Sequence, residues 1–224
     1  MKKVVKGEKK MPKRTPEEEK ARFDALLTRE RELKNEGFTA VAGIDEAGRG
    51  PLAGAVYAAA VILPEDVFIP GLDDSKKLSE KKREELFDII CEKAVSYSVA
   101  TASEAEIDEI NILNATHLAM RRAADGLKVS PDYCIIDGNS IKGMTIPCET
   151  MVKGDAKSAS IAAASILAKV SRDRYITELA KKYPEYGFDK HKGYGTKAHT
   201  DAILKYGPSP VHRKTFLKKL LGEV

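Results

Sequence analysis

Acidic residues directly follow short apolar segments that have the length of buried strands. They are Asp45, Glu46, Asp137 and Asp155. An apolar strand holds its terminal residue rigidly, and open α/β sheets bind ligands just beyond their strand ends. If the strands before Asp45 and Asp137 are neighbours, the acids converge, and grouped carboxylates repel each other unless they share protons or cations. Hard oxygen donors of this kind favour Mg²⁺ or Mn²⁺, and two such ions can catalyse phosphodiester hydrolysis by activating a water and stabilising the leaving oxygen.

Each acid also has a plainer interpretation when it is taken alone. A single Asp after a strand is commonly a turn or capping residue, and Asp155 could simply cap the helix that follows it. Three such placements, one of them a double acid, favour a metal site over separate caps.

A glycine–arginine loop, residues 47–54 with the sequence AGRGPLAG, follows the double acid. Its glycines allow the backbone to approach a ligand closely and to present amides to phosphate or hydroxyl groups. The spacing matches neither a Walker A loop nor a dinucleotide-binding fingerprint. Arg49 offers a planar donor fork suited to a nucleic-acid backbone. A tight structural turn would explain the glycines equally well, so the loop alone is a weak signal.

The elements that must position these groups alternate between strand and helix patterns. A helix is predicted to begin at Thr15 and Pro16 and to end at Gly37. Strands are predicted at 41–44, 55–63, 97–101 and 133–136, followed by a hairpin through Gly143 towards 149–153. Helices are predicted at 80–93, from Ser103, and at 111–128, 157–183, 197–205 and 213–221. This order indicates an α/β domain that carries a helical C-terminal region.

The composition is that of a folded globular domain. The chain has 224 residues, of which 42% are hydrophobic and 32% charged, and these values exclude disorder, collagen and coiled coil for the chain as a whole. The longest apolar run, 52–63, is far shorter than the roughly 20 residues of a membrane helix, and the N-terminus lacks the apolar core of a signal peptide. The cysteines lack C-x-x-C spacing and indicate reduced thiols in a cytoplasmic protein; they are Cys91, Cys134 and Cys148.

Basic charge is concentrated at the two ends of the chain. Residues 1–40 hold 12 Lys and Arg against 8 Asp and Glu, and residues 181–224 hold 10 against 4, so the middle is acidic. This division suits a carboxylate site flanked by surfaces that attract a polyanion, although scatter over a solvated surface would explain it as well. We predict a disordered basic tail at 1–14, a leader helix at 15–37, and a catalytic domain at 38–224 whose C-terminal helices begin at about 184.

The residues around the double acid resemble the signature of bacterial ribonuclease HII, a type 2 ribonuclease H. The segment is 43–54, GIDEAGRGPLAG. Matching segments follow in order: DSKKL at 74–78, IIDG at 135–138, KGD at 153–155, AASILAKV at 163–170, HKGYGT at 191–196 and PVHR at 210–213. The resemblance covers about residues 20–218.

The resemblance implies an RNase H-like fold, which is a mixed sheet flanked by helices. It implies an endonuclease that cleaves the RNA strand of RNA–DNA hybrids and nicks 5′ of single ribonucleotides in duplex DNA, leaving 5′-phosphate and 3′-hydroxyl ends. By the family's pattern the metal ligands are Asp45, Glu46, Asp137 and Asp155, and they hold Mn²⁺ or Mg²⁺, two ions per site during turnover.

The resemblance also implies how the substrate is bound. The 2′-hydroxyl and the adjoining phosphate would be held by Gly48, Arg49 and Gly50, which agrees with the ability of backbone amides to sense a 2′-hydroxyl. Tyr194 would stack on the sugar next to the ribonucleotide. Phosphates would contact Ser75, Lys76 and Lys77. The expected partners are RNA–DNA hybrid and ribonucleotide-containing duplex, with no membrane and a monomeric protein; a sliding-clamp contact is compatible with the sequence but cannot be derived from it.

Other classes of protein remain open at this point. Ribonuclease HIII would be expected to carry Lys between the loop glycines and a large N-terminal domain, so Arg49 and the short leader favour HII. A junction resolvase of the same fold, and a nucleic-acid binder without catalysis, also remain. A metal-free ribonuclease would use imidazole acid–base chemistry. The histidines are scattered along the sequence, which argues against it; they are His117, His191, His199 and His212.

Overall fold

The protein is described by a computed structural model that covers residues 15–223. Its single sheet of five strands has the order β3-β2-β1-β4-β5. The strands are β1 (Val41–Ala47), β2 (Val56–Ile62), β3 (Ser96–Ala102), β4 (Tyr133–Asp137) and β5 (Cys148–Met151). Antiparallel pairing joins β1 to β2 and β2 to β3, whereas β1, β4 and β5 run parallel. The sheet is therefore mixed, as the RNase H-like fold requires.

Helices cover both faces of this sheet. They are α1 (Pro16–Leu26), α2 (Thr28–Asn35), α3 (Glu80–Lys93), α4 (Glu104–Asp125), α5 (Ala159–Lys182), α6 (Phe188–His191), α7 (Lys197–Tyr206) and α8 (Lys214–Leu221). One apolar layer lies between the sheet and α5, a second lies between the sheet and α4, and a third joins the C-terminal helices to the end of α5. No helix within residues 15–223 is long and apolar enough to cross a membrane.

The leader forms two helices instead of the single one predicted. Thr15 caps α1 in a capping box with Glu18, and the chain bends at Leu27 before α2 begins. Phe23 is buried against the layer beneath α5, and the Glu30 carboxylate accepts hydrogen bonds from the N-terminal turn of α5, including the Ser160 amide at 3.0 Å. The leader thus holds the beginning of α5 in place. The predicted tail, 1–14, lies outside the described residues.

The predicted hairpin through Gly143 is wrong, because β4 and β5 are parallel. A hairpin would reverse the chain and give an antiparallel pair. Instead, residues 138–147 cross back to the other end of the sheet before β5 begins, and ten extended residues span up to roughly 33 Å, about twice the length of β4. The parallel arrangement brings the C-terminal end of β5 beside Asp137 and leads the chain into Asp155.

The longest helix packs unusually close to the central strand. A side chain at Gly43 would place its Cβ 2.2 Å from the backbone of Ser160 in α5, so only glycine fits. Because α5 crosses β1 at Gly43, its N-terminal half lies beneath the strand that carries Asp45.

The break predicted before residue 111 is also present, since Asn111 lies inside α4 with φ 65°.

Candidate active site

Strand register brings the predicted acids together. Ile44 of β1 pairs with Ile136 of β4, so that the next residue of each strand, Asp45 and Asp137, lies at the same edge of the sheet. Glu46 follows within β1, and Asp155 lies in a short 3₁₀ turn, Gly154–Ala156, ahead of α5. We call Asp45, Glu46, Asp137 and Asp155 the carboxylate cluster.

The pKa values of three members of the cluster, Asp45, Glu46 and Asp155, are raised. Burial raises the pKa of Asp45 well above its usual value, and the charges of Glu46 and Asp137 raise it further. Burial also raises the pKa of Glu46, against the opposing effect of Arg49. The pKa of Asp155 is raised by burial first, despite the nearby ammonium of Lys76. The edge of the sheet therefore carries more negative charge than its surroundings neutralise.

As placed, each carboxylate turns to a different neighbour. Asp45 accepts from the Glu46 amide at 2.7 Å, and Asp137 accepts from the Gly154 amide at 2.6 Å. Lys76 Nζ lies 3.3 Å from Asp155 Oδ2, and Arg49 Nη1 lies 3.4 Å from Glu46 Oε1. Among residues 15–223, no three acidic, histidine or cysteine side chains are so arranged that they could hold a metal ion as they stand. A shared ion would require these carboxylates to exchange their present contacts.

The glycines of the glycine–arginine loop differ in whether the fold itself requires a glycine at their position. Gly48 has φ 95°, and a Cβ there would lie 2.1 Å from Nε of Arg172, so the fold itself requires glycine. Gly54 likewise has φ 88° and no room beside Ile176. Gly50 has neither constraint: a Cβ there would meet only Cε1 of Tyr194, at 3.6 Å, which is ordinary contact. The backbone at Gly50 is exposed, and nothing in the protein's own packing explains the missing side chain.

Tyr194 lies beside this loop, with its Cε1 3.6 Å from the Cβ position of Gly50. Its side chain is 46% exposed, and its carbonyl accepts a hydrogen bond from His199 Nδ1 at 2.9 Å. His199 Nε2 lies 3.0 Å from His212 Nε2, and Ser209 donates its amide to His212 Nδ1. Because His212 accepts at Nδ1, it carries its proton on Nε2 and donates to His199, which in turn donates to Tyr194. A fixed line of imidazoles therefore positions the Tyr194 backbone.

The three predicted phosphate contacts fall into two groups. Ser75 is buried, and its hydroxyl lies 2.9 Å from the hydroxyl of Ser165, which hydrogen bonds Asp45. Lys76 and Lys77 have exposed side chains, and Lys77 also pairs with Asp73 at 3.1 Å. The two lysines are accessible to a phosphate, whereas the Ser75 side chain supports the carboxylate cluster from inside.

Three of the histidines that are scattered along the sequence lie together in the folded protein, so scatter is no argument against imidazole chemistry. His191 and His199 stack with ring centroids 4.4 Å apart, and His212 lies against His199. All six ring nitrogens of these three residues have hydrogen-bond partners. The pKa of His212 is lowered to about 4, first by burial and then by His199. Burial also lowers the pKa of His199, and enclosed imidazoles such as those of His199 and His212 cannot provide the surface acid and base of a metal-free ribonuclease.

Several residues have supporting roles that were not predicted from the sequence. They are Ser165, Arg172, His199, His212 and Arg213. Arg172 and Arg213 are almost completely buried beneath the glycine–arginine loop. A signal exists for Arg172, because it lies at helical spacing between two apolar residues of α5, Ala168 and Ile176. Arg213 lay within a matching segment, but nothing in its spacing says what it contacts.

Comparison with known proteins identifies the family to which the chain belongs. The family model described as Ribonuclease HII matches residues 42–219. A ribonuclease HII of Endomicrobium trichonymphae is 60% identical over 195 residues, which are 87% of this chain and 93% of the relative. A ribonuclease HII of Acetivibrio thermocellus is 55% identical over 205 residues, 92% of this chain and 80% of the relative.

Solved structures give the same fold. Ribonuclease H2 of Pyrococcus horikoshii superposes with a TM-score of 0.66 at 29% identity, covering 81% of this chain and 97% of that one. The ribonuclease HII in a PCNA:RNase HII complex from Archaeoglobus fulgidus gives 0.65 at 27% identity, covering 79% and 94%. Bst-RNase HIII in complex with Mn²⁺ gives 0.57 at 17% identity, covering 82% and 69%, and shows the fold alone.

Both the family model and the relatives point to HII and away from the HIII alternative. The curated relatives are 52–60% identical over most of the chain and are all described as ribonuclease HII. The chain therefore belongs to the ribonuclease HII family and is a type 2 ribonuclease H, an enzyme that acts on RNA–DNA hybrids.

Proposed function

We propose that this ribonuclease nicks duplex DNA on the 5′ side of a single embedded ribonucleotide, in addition to cleaving the RNA strand of hybrids. The products would carry 5′-phosphate and 3′-hydroxyl ends. When bound, two Mg²⁺ or Mn²⁺ ions would activate the attacking water and neutralise charge on the leaving oxygen. Their ligands would be the carboxylate cluster.

The observation that carries this proposal is the open backbone at Gly50. The protein's own packing leaves room for a side chain there, so the glycine serves something that approaches from outside. A ribose 2′-hydroxyl recognised by backbone amides requires that kind of close approach. Tyr194, whose ring edge lies 3.6 Å from the Cβ position of Gly50, would then stack on the neighbouring sugar.

The carboxylate cluster has the chemistry that divalent ions require. It offers only hard oxygen donors, and two of its members, Asp45 and Asp155, are at most 4% exposed. Mutual repulsion raises the pKa of Asp45, and two cationic side chains, those of Arg49 and Lys76, already contact the cluster. These features support cation binding at the cluster, whose side chains would turn from their present neighbours towards the ions.

Exposed cations around the cluster would bind the nucleic-acid backbone. Arg49 has a half-exposed guanidinium that could exchange Glu46 for a phosphate next to the ribonucleotide. Lys76 and Lys77 would hold phosphates further along the strand, while Ser75 contributes through Ser165. This assigns catalysis to carboxylates and substrate placement to cations and backbone amides.

We propose further that the protein acts as a monomer in the cytoplasm. Within residues 15–223 the three cysteines are free, and burial raises the pKa of Cys134 to about 12, so its thiol stays protonated. A sliding clamp is a further partner to test, because a solved relative was determined in complex with PCNA. Size-exclusion chromatography of the protein alone would check the monomeric state, and chromatography with a purified clamp would check the clamp contact.

The proposed function is tested with a DNA duplex that contains one ribonucleotide. The protein is incubated with it in Mg²⁺ or Mn²⁺, and both ends of the nick are mapped; an all-DNA twin and a chelated reaction are the controls. We expect one nick 5′ of the ribonucleotide, bearing 3′-hydroxyl and 5′-phosphate ends, and no cleavage in either control. Ends with a 2′,3′-cyclic phosphate would exclude the metal-activated water, and cleavage of the all-DNA twin would indicate a resolvase-like nuclease instead.

A further inference from the structure

A fully buried arginine lies beneath the glycine–arginine loop. Arg213 is 0% exposed, and its guanidinium makes five hydrogen bonds of 2.6–2.9 Å, all to backbone carbonyls of the loop. The acceptors are the carbonyls of Gly48, Arg49, Pro51 and Gly54. A guanidinium has five N–H groups, so its whole donor capacity is used on one loop.

No carboxylate shares this arginine. Among residues 15–223 there is no ion pair between Arg213 and an acidic side chain, so the loop carbonyls are its hydrogen-bond partners. The guanidinium also lies over the Phe216 ring, 5.2 Å from its centroid. Burial and the neighbouring charge of Arg172 lower the pKa of Arg213 to about 10, which still leaves it charged at neutral pH. The fork is therefore a rigid, charged template for the loop backbone.

The direction of the loop carbonyls determines the direction of the loop amides. In a trans peptide unit the C=O of one residue and the N–H of the next point in opposite directions. Because the carbonyls of Gly48 and Arg49 point inward to Arg213, the amides of Arg49 and Gly50 point away from it. Within the described chain these two exposed amides donate to no protein acceptor, whereas the Leu52 amide donates to Gly193 and is internally satisfied.

We propose that Arg213 is a positioning residue for ribonucleotide recognition: its fork fixes two peptide units of the loop so that the amides of Arg49 and Gly50 face the substrate. This inference rests on the proposed function, because it gives those amides the 2′-hydroxyl and its adjoining phosphate as ligands. Arg213 itself touches no substrate. It acts through the backbone that the substrate contacts.

Lysine cannot replace this arrangement. An ammonium is a compact charge with three donors and cannot span four carbonyls held by a planar fork. The backbone contacts of the segment remain in such a variant, since the Arg213 amide donates to the Leu52 carbonyl at 2.9 Å and His212 bridges to Ala53. Arg213→Lys therefore keeps the charge and the chain attachment while it removes the control of amide direction.

The first test compares Arg213→Lys with Arg122→Lys, which alters an arginine on α4 that pairs with Glu106 away from the loop. Single-turnover cleavage is measured on a duplex with one ribonucleotide, together with the metal concentration for half-maximal rate. For Arg213→Lys we expect a loss of roughly 10- to 100-fold in rate, as for a misplacement of about 1 Å, with the metal requirement changed less than two-fold. A wild-type rate in Arg213→Lys, or an equal loss in Arg122→Lys, would overturn the proposal.

The second test uses the wild-type protein and stands even if Arg213→Lys does not fold. Hydrogen exchange of the loop amides is measured with Ca²⁺ in place of the catalytic metal, with the one-ribonucleotide duplex and with its all-DNA twin. We expect the amides of Arg49 and Gly50 to exchange rapidly in the free protein and to be protected at least several-fold more by the ribonucleotide duplex than by its twin. Equal protection by both duplexes, while the enzyme still nicks at the ribonucleotide, would refute the role of the amides and leave the proposed function standing.

Discussion

The carboxylate cluster and the glycine–arginine loop lie side by side, yet they are held in opposite ways. The cluster is positioned mainly by strand register, and burial together with the charges of Glu46 and Asp137 raises the pKa of Asp45. The loop is positioned by Arg213 and by backbone bonds to the C-terminal region. These bonds occupy its inward-facing carbonyls and the Leu52 amide, and they leave the Arg49 and Gly50 amides without an acceptor among the described residues. Like charges repel one another in the carboxylate cluster while no cation is bound. The backbone of the loop, in contrast, is already held in place before a ligand binds.

Under the proposed function, we expect this difference to separate chemistry from substrate choice. Neutralising a member of the cluster should remove activity while relieving strain in the metal-free fold. Changing the loop should leave the metal requirement alone and alter how the ribonucleotide is seated. Each prediction below tests one side of this comparison.

The largest effect is expected at the cluster. Asp45→Asn should lower the cleavage rate about 10³-fold or more, because several kcal/mol of charge stabilisation depend on a metal ligand. The same variant should melt at a higher temperature than wild type in metal-free buffer, since burial and the charges of Glu46 and Asp137 disfavour the ionised Asp45. Rates and melting curves of Asp45→Asn are compared with those of Asp201→Asn, an exposed acid paired with Lys197. Full activity in Asp45→Asn would remove the metal site from this edge of the sheet.

The next effect separates two glycines of the same loop. Gly50→Ala should fold as wild type does but lose roughly 100-fold in cleavage at a single ribonucleotide, because the added methyl group displaces the ribose. Gly48→Ala should lose stability as well, since its Cβ would lie 2.1 Å from Arg172 Nε. Melting temperature and single-turnover rate are measured for both variants. If Gly50→Ala cleaved at the wild-type rate, the open backbone would have no role in recognition.

A smaller effect is expected for the aromatic ring. Tyr194→Ala should lower turnover at a single ribonucleotide by roughly 10-fold, with little change in affinity for duplex. That loss is about 1.4 kcal/mol, at the lower end of the roughly 1–3 kcal/mol of one stacking contact. Tyr194→Phe should retain most activity, because stacking needs the ring and not the hydroxyl. Tyr206→Ala, another exposed tyrosine, serves as the control. Unchanged cleavage by Tyr194→Ala would make Tyr194 an ordinary loop residue.

The smallest effect concerns stability in acid. The pKa of His212 is about 4 in the folded protein against 6.5 in the unfolded chain, so neutral His212 stabilises the fold above pH 6.5. That contribution, at most roughly 3 kcal/mol, is lost as the pH falls from 6.5 towards 4. The melting temperature of wild type should therefore decline more steeply over this range than that of His212→Asn. Parallel declines in the two proteins would show that protonation of His212 does not strain the imidazole line.

The sequence predicted one region far better than the other for a physical reason. Asp45 and Asp137 each follow an apolar strand segment, and this local pattern is visible in the sequence. Once the two strands pair, their register is enough to bring the two acids together. The supports of the loop come from positions more than a hundred residues away: Arg213 reaches the Gly48 carbonyl, and the Leu52 amide donates to the Gly193 carbonyl. Such contacts leave no periodic signal.

The wrong hairpin has the same origin. A short apolar strand, a glycine and a second short strand are compatible with either an antiparallel or a parallel pair. The length of residues 138–147 permits both arrangements, and the pairing partner decides between them. Whether β4 and β5 pair in parallel or antiparallel depends on contacts distant in the sequence, so it cannot be predicted from the local pattern of one sequence.

The central claim is that the carboxylate cluster binds the metal while the glycine–arginine loop seats the ribonucleotide. It is tested most directly by a metal titration of single-turnover cleavage at one ribonucleotide. Wild type, Asp155→Asn and Gly50→Ala are compared over a wide range of Mn²⁺ concentration. We expect Asp155→Asn to need at least about ten-fold more metal for half-maximal rate. We expect Gly50→Ala to keep the wild-type metal requirement at a much lower maximal rate. The same shift in metal requirement for both variants would contradict the account, because the loop and the cluster would then act as one site.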